Sequence, residues 1–143
     1  MYNALTIAKY VIKRCNDSKR TISNLKLQKI LYFIQAEFLA VTGRVCFPEE
    51  IKAWDFGPVV PEVYHKYKVY GSASIPYINN LEKMKISEND RKLIDGIVDE
   101  CAQYSAATLV EITHNQAPWK EAYRPYCNNT ISNGSIERYF KED

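Results

Sequence analysis

At 143 residues, with 46% hydrophobic and 25% charged residues, the chain has the size and composition of one soluble domain able to bury its own core. It lacks biased tracts that accompany disorder, and a net charge of +2 excludes a strongly polybasic or polyacidic protein. The charge is nevertheless polarised, since seven Lys and Arg residues face only Asp17 within the first thirty positions and leave twelve basic against sixteen acidic residues in the rest.

Ala4, Leu5, Ala8, Val11, Ile12 and Cys15 recur at helical spacing behind Asn3, a good capping residue, and predict a first helix over about residues 4–15. A second helix is expected from Ser23 or Asn24 as cap to Gly43 as stop, burying Leu27, Ile30, Leu31, Ile34, Phe38 and Val41. Its length of nearly 30 Å, at about 1.5 Å per residue, makes it the spine of the fold. Between Gly43 and Pro61 the helical period is lost, and Val45-Cys46-Phe47 and Ile51-Lys52-Ala53-Trp54 read as a small β-ribbon. Within that stretch Gly57 permits backbone angles closed to other residues, Pro58 restricts Gly57, and Pro61 presets the first turn of a third helix. This helix should run to about Tyr70 and end at Gly71, with a loop marked by Pro76 and Asn79-Asn80 beyond. Ser87 and Asp90 form a capping-box-like start to a fourth helix carrying Leu93, Ile94, Ile97, Val98 and Cys101. Ser105 then caps a fifth with Leu109 and Ile112, Pro118 begins a short sixth, and Ser135 caps a seventh holding Ile136, Tyr139 and Phe140. The expected fold is one mainly α domain of about six or seven helices, with a small extended element around residues 45–56.

Cys15, Cys46, Cys101 and Cys127 show no Cys-x-x-Cys spacing, and residues 2–15 mix charge with apolar positions rather than forming an export signal. A reduced, cytoplasmic protein is expected. With His65 and His114 as the only imidazoles, no metal centre is expected, and nothing suggests a cofactor. The longest apolar helix carries Lys26, Lys29 and Glu37, so no membrane span is expected.

The densest information lies in Trp54-Asp55-Phe56-Gly57-Pro58-Val59-Val60, where turn formers and large aromatics lead into a helix start and predict one defined shape. Trp54 is either a binding anchor or a core residue, whereas Asp55 and Phe56 belong at an exposed tip, and Val59, Val60 and Tyr64 could extend an apolar patch from it. On the second helix Gln28, Tyr32 and Gln35 share a face beside the core positions. They either offer hydrogen bonds and flat apolar area to a partner or bond internally to the turn around Trp54. His114 ends one helix and Trp119 starts the next, a placement suited to a structural hydrogen bond or to recognition. Acid–base catalysis by His114 lacks a second partner at any recognisable spacing, and there is neither a phosphate-binding Gly-rich loop nor a Ser-His-Asp pattern.

Leu25-Lys26-Leu27-Gln28-Lys29-Ile30-Leu31-Tyr32-Phe33, the segment from Ile51 through Trp54-Asp55-Phe56-Gly57-Pro58 to Tyr64, and Thr113-His114-Asn115-Gln116-Ala117-Pro118-Trp119 occur in an order that resembles the Panacea domain, a family of phage-associated and bacterial proteins. The resemblance runs to the closing Ile136-Glu137-Arg138-Tyr139-Phe140, so residues 1–143 read as one Panacea-like antitoxin domain. It implies an antitoxin, not an enzyme, that neutralises a neighbour-encoded toxin by direct contact; some members resemble adaptors that deliver the bound toxin to a protease. Gln28, Tyr32, Gln35, Trp54, Asp55, Phe56, Gly57, Pro58, Val59, Val60, Tyr64, His114 and Trp119 are the expected contact residues. The alternative is a nucleic-acid-binding regulator, motivated by the basic first thirty residues, although family members with a DNA-binding module carry it as an extra domain for which this chain has no room. An enzyme built on His114, Asp55 and Glu62 comes third.

Overall fold

The computed structural model of the chain describes residues 1–76 and 85–141, and the loop reading at Asn79-Asn80 lies outside them. Helix α1 spans Ala4–Asp17 and α2 spans Asn24–Thr42. The side chains of Asn3 and Ser23 cap them by accepting hydrogen bonds from the amides of Thr6 and Lys26. Gly43 ends α2 in the left-handed conformation at φ +72°, where a side chain would be strained. A hairpin follows, made of strand β1, Ile51–Trp54, and strand β2, Gly57–Val59. Beyond it come α3, Pro61–Tyr67, with a 3-10 turn at Lys68–Tyr70, then α4, Glu88–Cys101, and α5, Ala106–His114. The chain closes with α6, Ala117–Ala122, the short strand β3, Thr130–Ile131, and α7, Asn133–Lys141.

The molecule is mostly helical, with seven helices among the described residues and a three-stranded antiparallel sheet in the order β2-β1-β3. Helix α2 is the spine, packing on α1, α3, α4, α5, α7 and β2. Twelve of its residues are buried, so it is apolar on nearly every side rather than along one stripe. Ile7, Ile12, Ile30, Leu31, Ile34, Phe38, Ile94 and Val98 form the centre of one continuous core.

Three elements differ from the sequence expectation. Val45-Cys46-Phe47 is not a strand, because its backbone bonds to a side chain of α2, and β1 pairs instead with the Gly-Pro-Val segment. Pro58 is tolerated there because β2 is an edge strand whose missing N–H deprives no partner. Val41 is 60% exposed, since α2 outruns its neighbours at that end. The hydroxyl of Ser132, not Ser135, accepts the Ser135 amide at the start of α7.

Candidate functional site

The hairpin connects Trp54 to Gly57 through Asp55 and Phe56 alone, with Lys52 opposite Val59, Ala53 opposite Pro58 and Trp54 opposite Gly57. Neither tip residue has positive φ, and Gly57 absorbs the reversal at φ +100°. A Cβ added there would lie 2.8 Å from Lys29 Cε and 2.8 Å from Thr113 Oγ1, so the absence of a side chain also lets α2 and α5 close on the strand.

Three stacked rings hold this tip from outside. His114 and Trp119 stack with centroids 4.1 Å apart, and Trp119 and Tyr123 continue the pile at 4.5 Å. Each ring reaches the turn: Trp119 Nε1 donates to the Trp54 carbonyl at 2.9 Å, His114 Nε2 lies 2.9 Å from the Asp55 carbonyl, and the Tyr123 hydroxyl donates to the Asp55 carboxylate. That carboxylate holds the Tyr123 phenol above its ordinary range by favouring the protonated donor. Trp54 is half-buried, donates from Nε1 to Asn128 Oδ1 at 2.8 Å and packs edge-on against Tyr64 at 5.2 Å. Phe56 is left outside this framework, 66% exposed. Beside it a cavity of about 280 Å³ is lined by Leu25, Trp54, Phe56, Val59, Tyr64 and Lys68 among others.

From the inside, α2 treats the free edge of β2 as a neighbouring strand would. Lys29 Nζ donates to the Pro58 carbonyl at 2.8 Å, and Gln28 Oε1 accepts from the Val60 amide at 2.9 Å. The sheet edge is thereby closed without another strand. Gln28 also donates to Asn24, Tyr32 donates to Gln116 Oε1 at 2.8 Å, and Gln35 bonds to the backbone of Cys46 and Phe47. All three residues are essentially inaccessible, at 1%, 0% and 0% exposure, and their hydrogen bonds are internal, the second of the two roles the sequence left open for this face. Gly57, Pro58, Val59 and Val60 are likewise buried, because β2 is pressed onto α2. Of the expected contact residues, Asp55, Phe56, Trp54, Tyr64, His114 and Trp119 remain wholly or partly accessible and gather around one hairpin.

Lys29 is the residue whose setting the sequence hid. It is fully buried, its Nζ meets a carbonyl rather than a carboxylate, and burial pushes its ammonium down from 10.5 to about 7. The unfolded chain therefore binds more protons than the folded one between those values, and stability rises with pH across the window, the full penalty being present below pH 7. Burial also raises the Cys46 and Cys101 thiols from 9.0 to about 12, which turns the trend downward above pH 9. Urea titrations from pH 7 to 9 should show wild-type stability gaining roughly 2 kcal/mol relative to Lys29→Met. Parallel curves for the two proteins would show that Lys29 keeps an ordinary pKa.

The basic excess of the first thirty residues is largely spent internally. Arg14 pairs with Asp95 and Asp99, Arg20 with Asp99 and Lys13 with Asp17, while Lys29 is buried. Its value as a nucleic-acid footprint falls accordingly. Cys15, Cys46 and Cys101 are free and buried, and no cluster of His, Cys, Asp and Glu among the described residues could hold a metal ion. No helix among them is long and apolar enough to cross a membrane. Tyr123 and Asn128, which complete the clamp, escaped the sequence reading; Tyr123 carried one signal, its position four residues after Trp119, one helical turn away.

Comparison with known proteins gives these features a context. The family model described as antitoxin SocA-like, Panacea domain, matches residues 27–120, a span that includes most of α2, the hairpin and the His114-Trp119 pair. Antitoxin SocA of Caulobacter vibrioides (strain NA1000 / CB15N) is 30% identical to the chain over 128 residues, covering 82% of this chain and 68% of that protein. No solved structure matches the chain.

Proposed function

Since this chain belongs to the family of SocA-like antitoxins with a Panacea domain, we propose that it neutralises a cognate toxin by direct contact through the clamped hairpin, without modifying the toxin covalently. The observation that carries this reading is the contrast at the tip: a backbone fixed by His114, Trp119 and Tyr123 presents Phe56 at 66% exposure beside an apolar cavity. An aromatic side chain held on a rigid turn loses little conformational freedom on association, so more of its burial appears as affinity. Aromatic anchors in pockets dominate interface energies for the same reason.

Co-expression with the protein encoded beside this gene tests the proposal. Growth should recover, the two proteins should co-purify, and the mass of the toxin should stay unchanged. Phe56→Ala should weaken the complex by roughly 2 kcal/mol, near thirtyfold in Kd, while thermal stability is kept. Asp55 is a poorer probe, because its carboxylate also anchors Tyr123 and its removal loosens the turn. Wild-type rescue by Phe56→Ala would move the interface elsewhere, and failure of the wild-type chain to bind or rescue would defeat the antitoxin reading for this pair.

A further inference from the structure

A second concave surface shares no residue with the hairpin. It is an apolar groove of about 400 Å³ between α2, α4, α5 and α7. Helix α2 contributes Phe33, Ala36, Glu37 and Ala40, and α4 with its following turn contributes Ile97, Glu100, Cys101 and Tyr104. Both sets have the spacing i, i+3, i+4, i+7, the pattern by which one helix offers a continuous face to another. Helices α2 and α4 pack on each other and bury Ala36 and Cys101, and the groove opens onto solvent along its rim, where Tyr104 is 40% exposed. Ala36 and Ala40 keep the floor on α2 low, so a backbone can approach closely.

The charge of the groove is one-sided. Glu37 and Glu100 are its only charged lining residues, and neither carboxylate has an ion-pair or hydrogen-bond partner among the described residues. An apolar trough flanked by two unpaired carboxylates fits an apolar face flanked by cations. The size of the trough suits a few anchoring side chains, as in helix-in-groove recognition, rather than an entire buried helix.

We propose that this groove docks a basic amphipathic helix of another protein, whose apolar side chains enter between α2 and α4 and whose Lys or Arg residues meet Glu37 and Glu100. This surface is independent of the hairpin, so one molecule can hold a partner at each. The charged pair contributes mainly to selectivity and to encounter, and the apolar contacts to retention.

Two synthetic helical peptides of identical pattern, one Leu/Lys and one Leu/Glu, test this by fluorescence anisotropy against the full chain. The Leu/Lys peptide should bind at least tenfold more tightly than the Leu/Glu peptide. Glu37→Lys combined with Glu100→Lys should reverse that preference, Ala40→Trp should abolish binding by filling the trough, and Phe56→Ala should change neither. The charge-reversal pair lies at the surface and tests the proposal even if Ala40→Trp fails to fold. Equal binding of the two peptides, or preference unaltered by charge reversal, would overturn it. So would a dimer of the chain itself that occupies the groove and excludes the Leu/Lys peptide.

Discussion

Gly57→Val is expected to destabilise the protein by roughly 2–6 kcal/mol, adding the strain of a β-branched residue at positive φ to the overpacking of a closed site. Both contributions come from geometry at one atom position. The backbone sits at φ +100°, and the new Cβ would start 2.8 Å from Lys29 Cε and Thr113 Oγ1 before its methyl groups are placed. The lysine end could move, but only by giving up its bond to the Pro58 carbonyl inside the core. Thr113 has less freedom, as its hydroxyl is tied to the Val110 carbonyl at 2.8 Å on a buried helix face. The consequence extends to the proposed interface, since Gly57 adjoins Phe56 and the turn is what orients that ring. Chemical denaturation of the variant measures the loss. A midpoint equal to wild type would mean that the hairpin relaxes freely and that its shape is not fixed by Gly57.

How much of this was legible in the sequence depends on how local each signal is. Asn3, Ser23, Ser87 and Ser105 cap α1, α2, α4 and α5 as their side chains announce, because a cap is decided within three residues of chain. Strand pairing is not decided there. Val45-Cys46-Phe47 has the composition of a strand but sits where Gln35 supplies its hydrogen bonds, whereas Gly57-Pro58-Val59 looks unsuited to a sheet and is one, at an edge covered by α2. Strand β3, two residues long, carries no pattern at all and exists because the Asn129 carbonyl and Thr130-Ile131 meet the far side of β1. The hairpin tip was legible as a shaped element, and the exposed Phe56 with it. The face of Gln28, Tyr32 and Gln35 was legible as polar, with internal bonding and partner contact both left open, since periodicity reports which residues share a face and not what covers that face. The α2-α4 groove was illegible for the same reason: Ile97 reads as a core position of its helix, and only its neighbours in the fold leave it partly exposed along the groove.

Gln35→Leu offers the sharpest test of the internal role of that polar face, with an expected loss of roughly 3–5 kcal/mol. The amide of Gln35 is wholly buried and serves the loop before β1 as both donor and acceptor. Its Nε2 donates to the Phe47 carbonyl at 2.8 Å, and its Oε1 accepts from the Cys46 amide at 2.7 Å and from the Phe47 amide at 3.3 Å. Leucine fills the space with similar volume but leaves these backbone groups without partners in an apolar setting, and each such group costs about 1–3 kcal/mol. The Phe47 ring is itself fully buried, so the loop cannot turn outward to find water without surrendering that contact. Tyr2 donates its amide to the Cys46 carbonyl at 2.9 Å, which carries the disturbance to the start of α1. The amides of Cys46 and Phe47 should be protected from hydrogen exchange in the wild type and exchange far faster in the variant. If they stay protected and the denaturation midpoint does not fall, Gln35 is dispensable to the fold, and a role for it in partner contact regains its standing.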